Sequence, residues 1–199
     1  MFEIKFTMLL VWLSIFSYLI GSIPFGFIFA KIFLKKDIRN VGSGNIGATN
    51  VLRTGNKLIG YFTLILDVLK AVIPVLYVKL NFPELVYISS LSAFIGHVFP
   101  IWLKFKGGKG VATYVGILFS INYFFGIIFI VSWLIIFFIS KYSSLGSILS
   151  SLLIPIFIFL NSSYENQYFF IIMFVLILYT HRKNVKRLIN KEESKTKIY

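Results

Sequence analysis

The sequence predicts an all-α polytopic membrane protein, and three observations predict it. Of the 199 residues 58% are hydrophobic and 14% charged, and mean hydropathy is +0.87, more apolar content than a soluble core of this size can use. The apolar residues fall in runs long enough to cross a bilayer as helix. The 20 Lys and Arg, against 7 Asp and Glu, collect between those runs, as in topology-setting loops that touch anionic membrane lipid and unlike a nucleic-acid-binding surface. No cysteine is present, which excludes disulfides, thiolate nucleophiles and cysteine metal sites.

The first span is expected over residues 7–30. Glu3 and Lys5 precede it without a small-residue cleavage site, so it reads as a retained helix rather than a removed signal. In its second half Gly21-Ser22-Ile23-Pro24-Phe25-Gly26 predicts a kink or break that neighbouring protein has to cover. A basic patch follows: Lys31, Lys35, Lys36 and Arg39. The second span, 58–78, holds Asp67 and Lys70 one turn apart, an i,i+3 pair on one face turned toward a polar interior. Asn81, Pro83 and Glu84 lead to the third span, 85–103, with Gly96-His97-Val98-Phe99-Pro100 near its end. The next apolar segment, 111–121, is too short to span comfortably, so it tilts inside protein or dips partway into the membrane. Spans at 123–140, 148–160 and 167–180 follow. Lys141-Tyr142-Ser143-Ser144-Leu145-Gly146-Ser147 and a polar turn at 161–166 separate them, and His181 opens a basic tail, 181–199.

Counting the short segment, this makes about seven membrane passages in a single integral domain, 1–199. Seventeen of the 20 Lys and Arg then fall in loops on one side, with Lys5 and Lys79 opposite and Lys70 inside a span. The positive-inside rule therefore places the C-terminus and all three Gly- or Ser-rich islands on the cytoplasmic face and the N-terminus outside. Without a crossing at 111–121 the second and third islands would face opposite sides, with the basic tail outward.

Two islands look built for anions. In 40–53 the glycines Gly42, Gly44 and Gly47 let the backbone turn and bring its N–H groups close to a ligand. Ser43, Asn45, Thr49 and Asn50 add short donors, and Arg53 adds a planar cationic fork. Gly42-Ser43-Gly44-Asn45-Ile46-Gly47 spells the dinucleotide pattern G-x-G-x-x-G, but that fingerprint needs a buried strand and a βαβ unit, and here a membrane-length apolar run precedes it. Close packing of two membrane helices would explain the small residues and not the two asparagines and the arginine. In the second island Lys104, Lys106, Gly107, Gly108, Lys109 and Gly110 bring glycine N–H groups, lysines and a helix start together. It is no nucleotide P-loop, because the spaced upstream glycine and a Ser or Thr after Lys109 are missing.

His97 and His181 are the only histidines. His97 at a span end suits a structural or supporting role as well as a chemical one, and His181 shares a helix face with Asn184, one turn on. Two distant histidines with few carboxylates predict no metal site. No Gly-x-Ser-x-Gly elbow or close His-Asp pair offers an acyl-enzyme nucleophile. Any acyl chemistry must rest on positioning and charge.

These residues carry a resemblance. Gly21–Gly26, the run 41–50 ending at Arg53, Asp67 with Lys70, Gly96-His97 with Phe99-Pro100, the run 105–113, and His181 with Asn184 resemble the PlsY family along nearly the whole chain. These are bacterial membrane glycerol-3-phosphate acyltransferases that use acyl phosphate as donor. The resemblance implies a multi-pass protein of the bacterial inner membrane with its active site on the cytoplasmic side and no cofactor. It implies transfer of a fatty acyl group from acyl phosphate to the 1-hydroxyl of glycerol 3-phosphate, giving lysophosphatidic acid and phosphate, with a peripheral enzyme supplying the acyl phosphate. By the family pattern Ser43 and Arg53 fall at essential positions, Lys106 to Gly110 bind glycerol 3-phosphate, and His181 and Asn184 fall in a third motif. The third island's serine corresponds to Ser144, with Ser143 and Ser147 close enough to leave that alignment open. The tail has Lys191-Glu192-Glu193 where the family has Gly-Thr-Glu, which keeps the acid at Glu193 and loses the glycine. The rival reading is a small transporter of a phosphorylated metabolite, against which stand the absence of an internal repeat and islands gathered on one face.

Overall fold

The computed structural model describes residues 2–161 and 166–195; most of the polar turn expected at 161–166 and the last four residues of the tail lie outside them. Among the described residues every regular element is helical. Five of the described segments are long and apolar enough to cross a membrane: Glu3–Phe33, Lys57–Asn81, Pro83–Leu103, Tyr123–Ser140 and Ser143–Leu160. Val111–Ile121 and Gln167–Thr180 are shorter apolar helices. Large apolar side chains such as Trp12, Leu80, Ile139 and Phe159 are exposed, while serines, Asp67 and Lys70 are buried. That inversion is what a lipid solvent imposes. The helices cluster into two compact units, Met1–Ile121 and Asn122–Tyr199.

The first unit contains α1 (Phe2–Gly21), α2 (Phe25–Phe33), the short α3 (Ala48–Leu52), α4 (Lys57–Asn81), α5 (Val86–Val98) and α6 (Val111–Ile121). The expected break between α1 and α2 falls at Ser22-Ile23-Pro24, and protein covers it. Lys70 Nζ donates to the Ile23 carbonyl at 2.7 Å, and Trp102 Nε1 donates to Ser22 Oγ at 2.8 Å. Small residues let α1 lie directly against α5. Ser17 and Ser89 hydroxyls meet at 2.8 Å, and a methyl group at Gly21 or Gly96 would strike a backbone carbonyl of the other helix.

The short α6 runs parallel to the second half of α4. Thr113 Oγ1 donates to the Asp67 carbonyl at its start, Gly116 packs on Val68 and Ala71, and Lys79 Nζ donates to the last carbonyls of α6, Ser120 at 2.9 Å and Ile121 at 2.8 Å. A cation at that end also suits the helix dipole. The 11 residues of α6 cover about 16 Å, roughly half the ~30 Å of a bilayer core. In the segment before α6, Leu103 clusters against Ile59 near the start of α4. From the level of Ile59 to that of Asp67 is eight residues of α4, about 12 Å.

The second unit contains α7 (Tyr123–Ser140), α8 (Ser143–Leu160), α9 (Gln167–Thr180) and α10 (Arg182–Ile189), with α8 packed on both α7 and α9. Helix α8 begins at Ser143, five residues before the expected 148. Lys141 closes α7 at φ 65°. The serines then fit into the first turns because Ser147 Oγ donates back to the Ser143 carbonyl at 2.9 Å and accepts from Trp133 Nε1 at 3.2 Å.

Candidate functional site

The first island is a loop pinned at several points. Ile38, Ile46 and Val51 are buried in one apolar cluster with Ala30 and Ile59, and a methyl at Gly26 would strike the Ile46 carbonyl, so α2 seats directly against the loop. Gly42 and Gly44 take φ of 55° and 71°, the left-handed region in which a side chain is strained. Asn50 holds the turn closed from inside. Its Oδ1 accepts from Ser43 N at 2.9 Å, and its Nδ2 donates to the carbonyls of Ile38, Val41 and Asn45 at 3.1, 2.9 and 2.8 Å. The amide expected to meet a ligand is thus committed to the loop's own backbone, and Asn50 is 2% exposed. Ser43, Thr49 and Arg53 lie on the exposed side, with Asn45 and Gly47 partly exposed. Arg53 passes over Gly42, its Cδ 3.3 Å from where a Cβ would stand.

The island's other arginine has a different task. Arg39 forms a two-pronged pair with Asp37, Nε to Oδ1 at 2.9 Å and Nη2 to Oδ2 at 2.6 Å. Side-chain and backbone hydrogen bonds from Arg39 hold the Asp37 carboxyl down at about 2.

The second island folds back on the end of α5. Gly107 N donates to the Val98 carbonyl at 3.0 Å and Gly108 N to the His97 carbonyl at 3.1 Å, so these two amides, expected to face an anion, close the loop instead. The first-turn amides of α6 after Gly110 have no carbonyl within the helix, as at any helix N-terminus. Lys106 is exposed and Lys109 half-buried beside them. Under the loop lie the three supporting residues. Asp67 Oδ1 pairs with Lys70 Nζ at 2.7 Å, and His97 Nδ1 stands 3.9 Å from the same oxygen; all three are nearly fully buried. The predicted Asp67–Lys70 pair is therefore present, and His97 stands beside it.

The second unit gathers the third island and the tail. Ser144 Oγ and Asn184 Nδ2 donate to Glu193 Oε1 at 2.8 and 2.7 Å, and Arg187 Nε donates to Glu193 Oε2 at 2.6 Å. Of Ser143, Ser144 and Ser147, Ser144 is the one that reaches this cluster. Burial pushes the Glu193 carboxyl up, but the hydrogen bonds from Arg187, Asn184 and Ser144 outweigh it and hold it below its ordinary range. Glu193 was missed as a site residue, although the acid retained in a basic tail was its signal. Lys191, at the position where the resemblance leads to an expected glycine, takes φ 59°, and Glu192 N returns to the Arg187 carbonyl at 2.7 Å, so the tail makes a glycine-type turn with a lysine.

His181 is 2% exposed, with Nδ1 2.8 Å from the Ile177 carbonyl. A carbonyl only accepts, so Nδ1 carries the hydrogen and a neutral ring presents Nε2 as an acceptor. Among the described residues no three His, Asp or Glu side chains group as metal ligands.

The chain is similar to known proteins. A family model described as glycerol-3-phosphate acyltransferase matches residues 11–191. The chain is 72% identical over 183 residues to a glycerol-3-phosphate acyltransferase of Pelagibacter ubique (strain HTCC1062), covering 92% of this chain and 95% of that one. It is 43% identical over 197 residues to one from Bartonella henselae, covering 96% and 92%. Among solved structures it is similar to PlsY (YgiH), an integral membrane glycerol 3-phosphate acyltransferase. The glycerol 3-phosphate form matches with TM-score 0.88 at 39% identity over 94% of each chain, and the lysophosphatidic acid form with TM-score 0.86 at 37% identity.

Proposed function

Because the chain belongs to the glycerol-3-phosphate acyltransferase family, we propose that it transfers a fatty acyl group from acyl phosphate to the 1-hydroxyl of sn-glycerol 3-phosphate. The products are lysophosphatidic acid and inorganic phosphate. The observation that carries this reading is the pair of cation-rich glycine loops in the first unit, one per phosphate-bearing substrate. The loop 106–110, with the first turn of α6, takes glycerol 3-phosphate. Ser43, Thr49 and Arg53 on the outer side of the first island take the phosphate of the donor, with Gly42, Gly44, Asn45 and Gly47 shaping the backbone there and Asn50 holding it closed.

The donor is already activated, so the protein has to hold the hydroxyl within about 3 to 3.5 Å of the acyl carbon and support the developing oxyanion with cationic or N–H donors. The hydroxyl oxygen bonds to the acyl carbon, the carbon–oxygen bond to phosphate breaks, and the phosphate leaves with the electron pair. The hydroxyl proton passes to that phosphate or to His181 Nε2. We assign His181, Asn184 and Ser144 to the same reaction, with Glu193 fixing the last two. The acyl chain enters sideways from the inner leaflet and glycerol 3-phosphate from the cytoplasm, in a seven-passage topology with the N-terminus outside. A peripheral enzyme supplies the acyl phosphate.

The test is release of phosphate from palmitoyl phosphate by the purified protein in lipid, with and without glycerol 3-phosphate, beside Arg53→Ala. Release that requires glycerol 3-phosphate and drops to background in Arg53→Ala is the expected result. No release, with glycerol 3-phosphate still crossing the membrane of sealed vesicles, would replace the enzyme with a transporter.

A further inference from the structure

The reaction leaves unused the buried charges under the second island. Asp67 and Lys70 sit on α4 at a depth where charge is costly, and their side chains are 3% and 2% exposed. An ion pair in such a place rarely repays its desolvation. Its neighbours indicate what it does. Lys70 Nζ holds both Asp67 Oδ1 and the Ile23 carbonyl, each at 2.7 Å, so it ties α4 to the break between α1 and α2. The Asp67 backbone carbonyl receives Thr113 Oγ1 from the first turn of α6. His97 Nδ1 makes no hydrogen bond and faces the Asp67 carboxylate at 3.9 Å.

The other edge of the His97 ring carries the glycine-lysine loop. A methyl group at Gly108 would overlap Nε2 of that ring, and one at Gly107 would overlap the His97 carbonyl. The Gly108 amide donates to that same carbonyl at 3.1 Å. The loop thus rests on one imidazole, and the imidazole stands between Gly108 and a carboxylate fixed by Lys70.

We propose that Asp67, Lys70 and His97 form a buried brace of positioning residues, in which the His97 ring sets the seat of Gly108 and thereby the affinity of the loop for glycerol 3-phosphate. The proposal rests on the acyltransferase reading. It makes His97 act through the loop and not on substrate, and it gives the loop a glycine at 108 because the ring occupies the space a Cβ would need.

The test is a double-mutant cycle on the full-length protein in lipid, with His97→Ala, Gly108→Ala and the pair. Each single variant is expected to raise KM for glycerol 3-phosphate about tenfold, with kcat and KM for palmitoyl phosphate changed less than about threefold, since contacting residues couple. The double variant should stay within about threefold of a single one, because removing the ring makes room for the methyl. Independent, multiplying effects, or a His97→Ala protein with the parent KM, would overturn the brace. Should His97→Ala unfold, His97→Asn keeps a polar group toward Asp67 and frees space beneath Gly108; its KM must rise and its coupling to Gly108→Ala must persist, and a parent KM again overturns the proposal. Isothermal titration of glycerol 3-phosphate reads the loop without turnover. A parent protein that binds glycerol 3-phosphate and never releases phosphate would fail the acyltransferase reading while leaving the cycle measurable by binding.

Discussion

Asp67 in the first unit and Glu193 in the second are carboxylates held in opposite ways. Asp67 lies inside a 25-residue helix and depends on one cation, Lys70, on its own helix face. Glu193 lies past the last helix and collects three donors from α8 and α10, Ser144, Asn184 and Arg187, the arginine being 36% exposed. The difference is one of redundancy. Loss of Lys70 leaves a bare charge in a low-dielectric interior, whereas loss of Arg187 leaves Glu193 its two hydrogen bonds from Ser144 and Asn184.

The largest expected effect follows from that contrast. Lys70→Met should lower stability by about 3–5 kcal/mol, the cost of stranding a buried partner, and Arg187→Met by about 1 kcal/mol or less. Equal shifts in thermal midpoint in detergent would break the comparison. Asn50 lies between the two cases, a neutral hub with several backbone partners. Asn50→Ala unpairs buried groups at about 1–3 kcal/mol in all and should abolish phosphate release while far-ultraviolet circular dichroism keeps its helical amplitude; undiminished turnover would count against the clamp.

A smaller effect is one of pH. The Glu193 carboxyl is held below its unfolded range, so its contribution is fully present above the unfolded pKa, near 4.3, and is lost as pH falls through the folded value. Protease cleavage in the tail should therefore rise on acidification below the ordinary carboxylate range. Glu193→Gln should be cleaved more readily at neutral pH and show no such rise; a parent protein with a flat profile would remove the carboxylate from its role. Smallest is Lys191→Gly, which relieves a left-handed lysine and should raise the thermal midpoint by the equivalent of about 1 kcal/mol. A lower midpoint would show that the lysine contributes more than its strain costs.

The sequence by itself determined what depends on neighbours a few residues apart. Apolar runs placed the helices, Pro24 between two glycines placed the break between α1 and α2, and the i,i+3 spacing of Asp67 and Lys70 placed them on one face. The two glycine loops were legible because few other structures need glycine, asparagine and cations in that mixture. Only the tertiary structure decided that the Gly107 and Gly108 amides close onto α5, that Asn50 faces inward, that the serines of the third island are already helical, and that Glu193 gathers Ser144, Asn184 and Arg187. Each of these turns on which backbone or side-chain group, often dozens of residues away, takes up a donor or acceptor withheld from water. Packing makes that choice, and no local pattern encodes it.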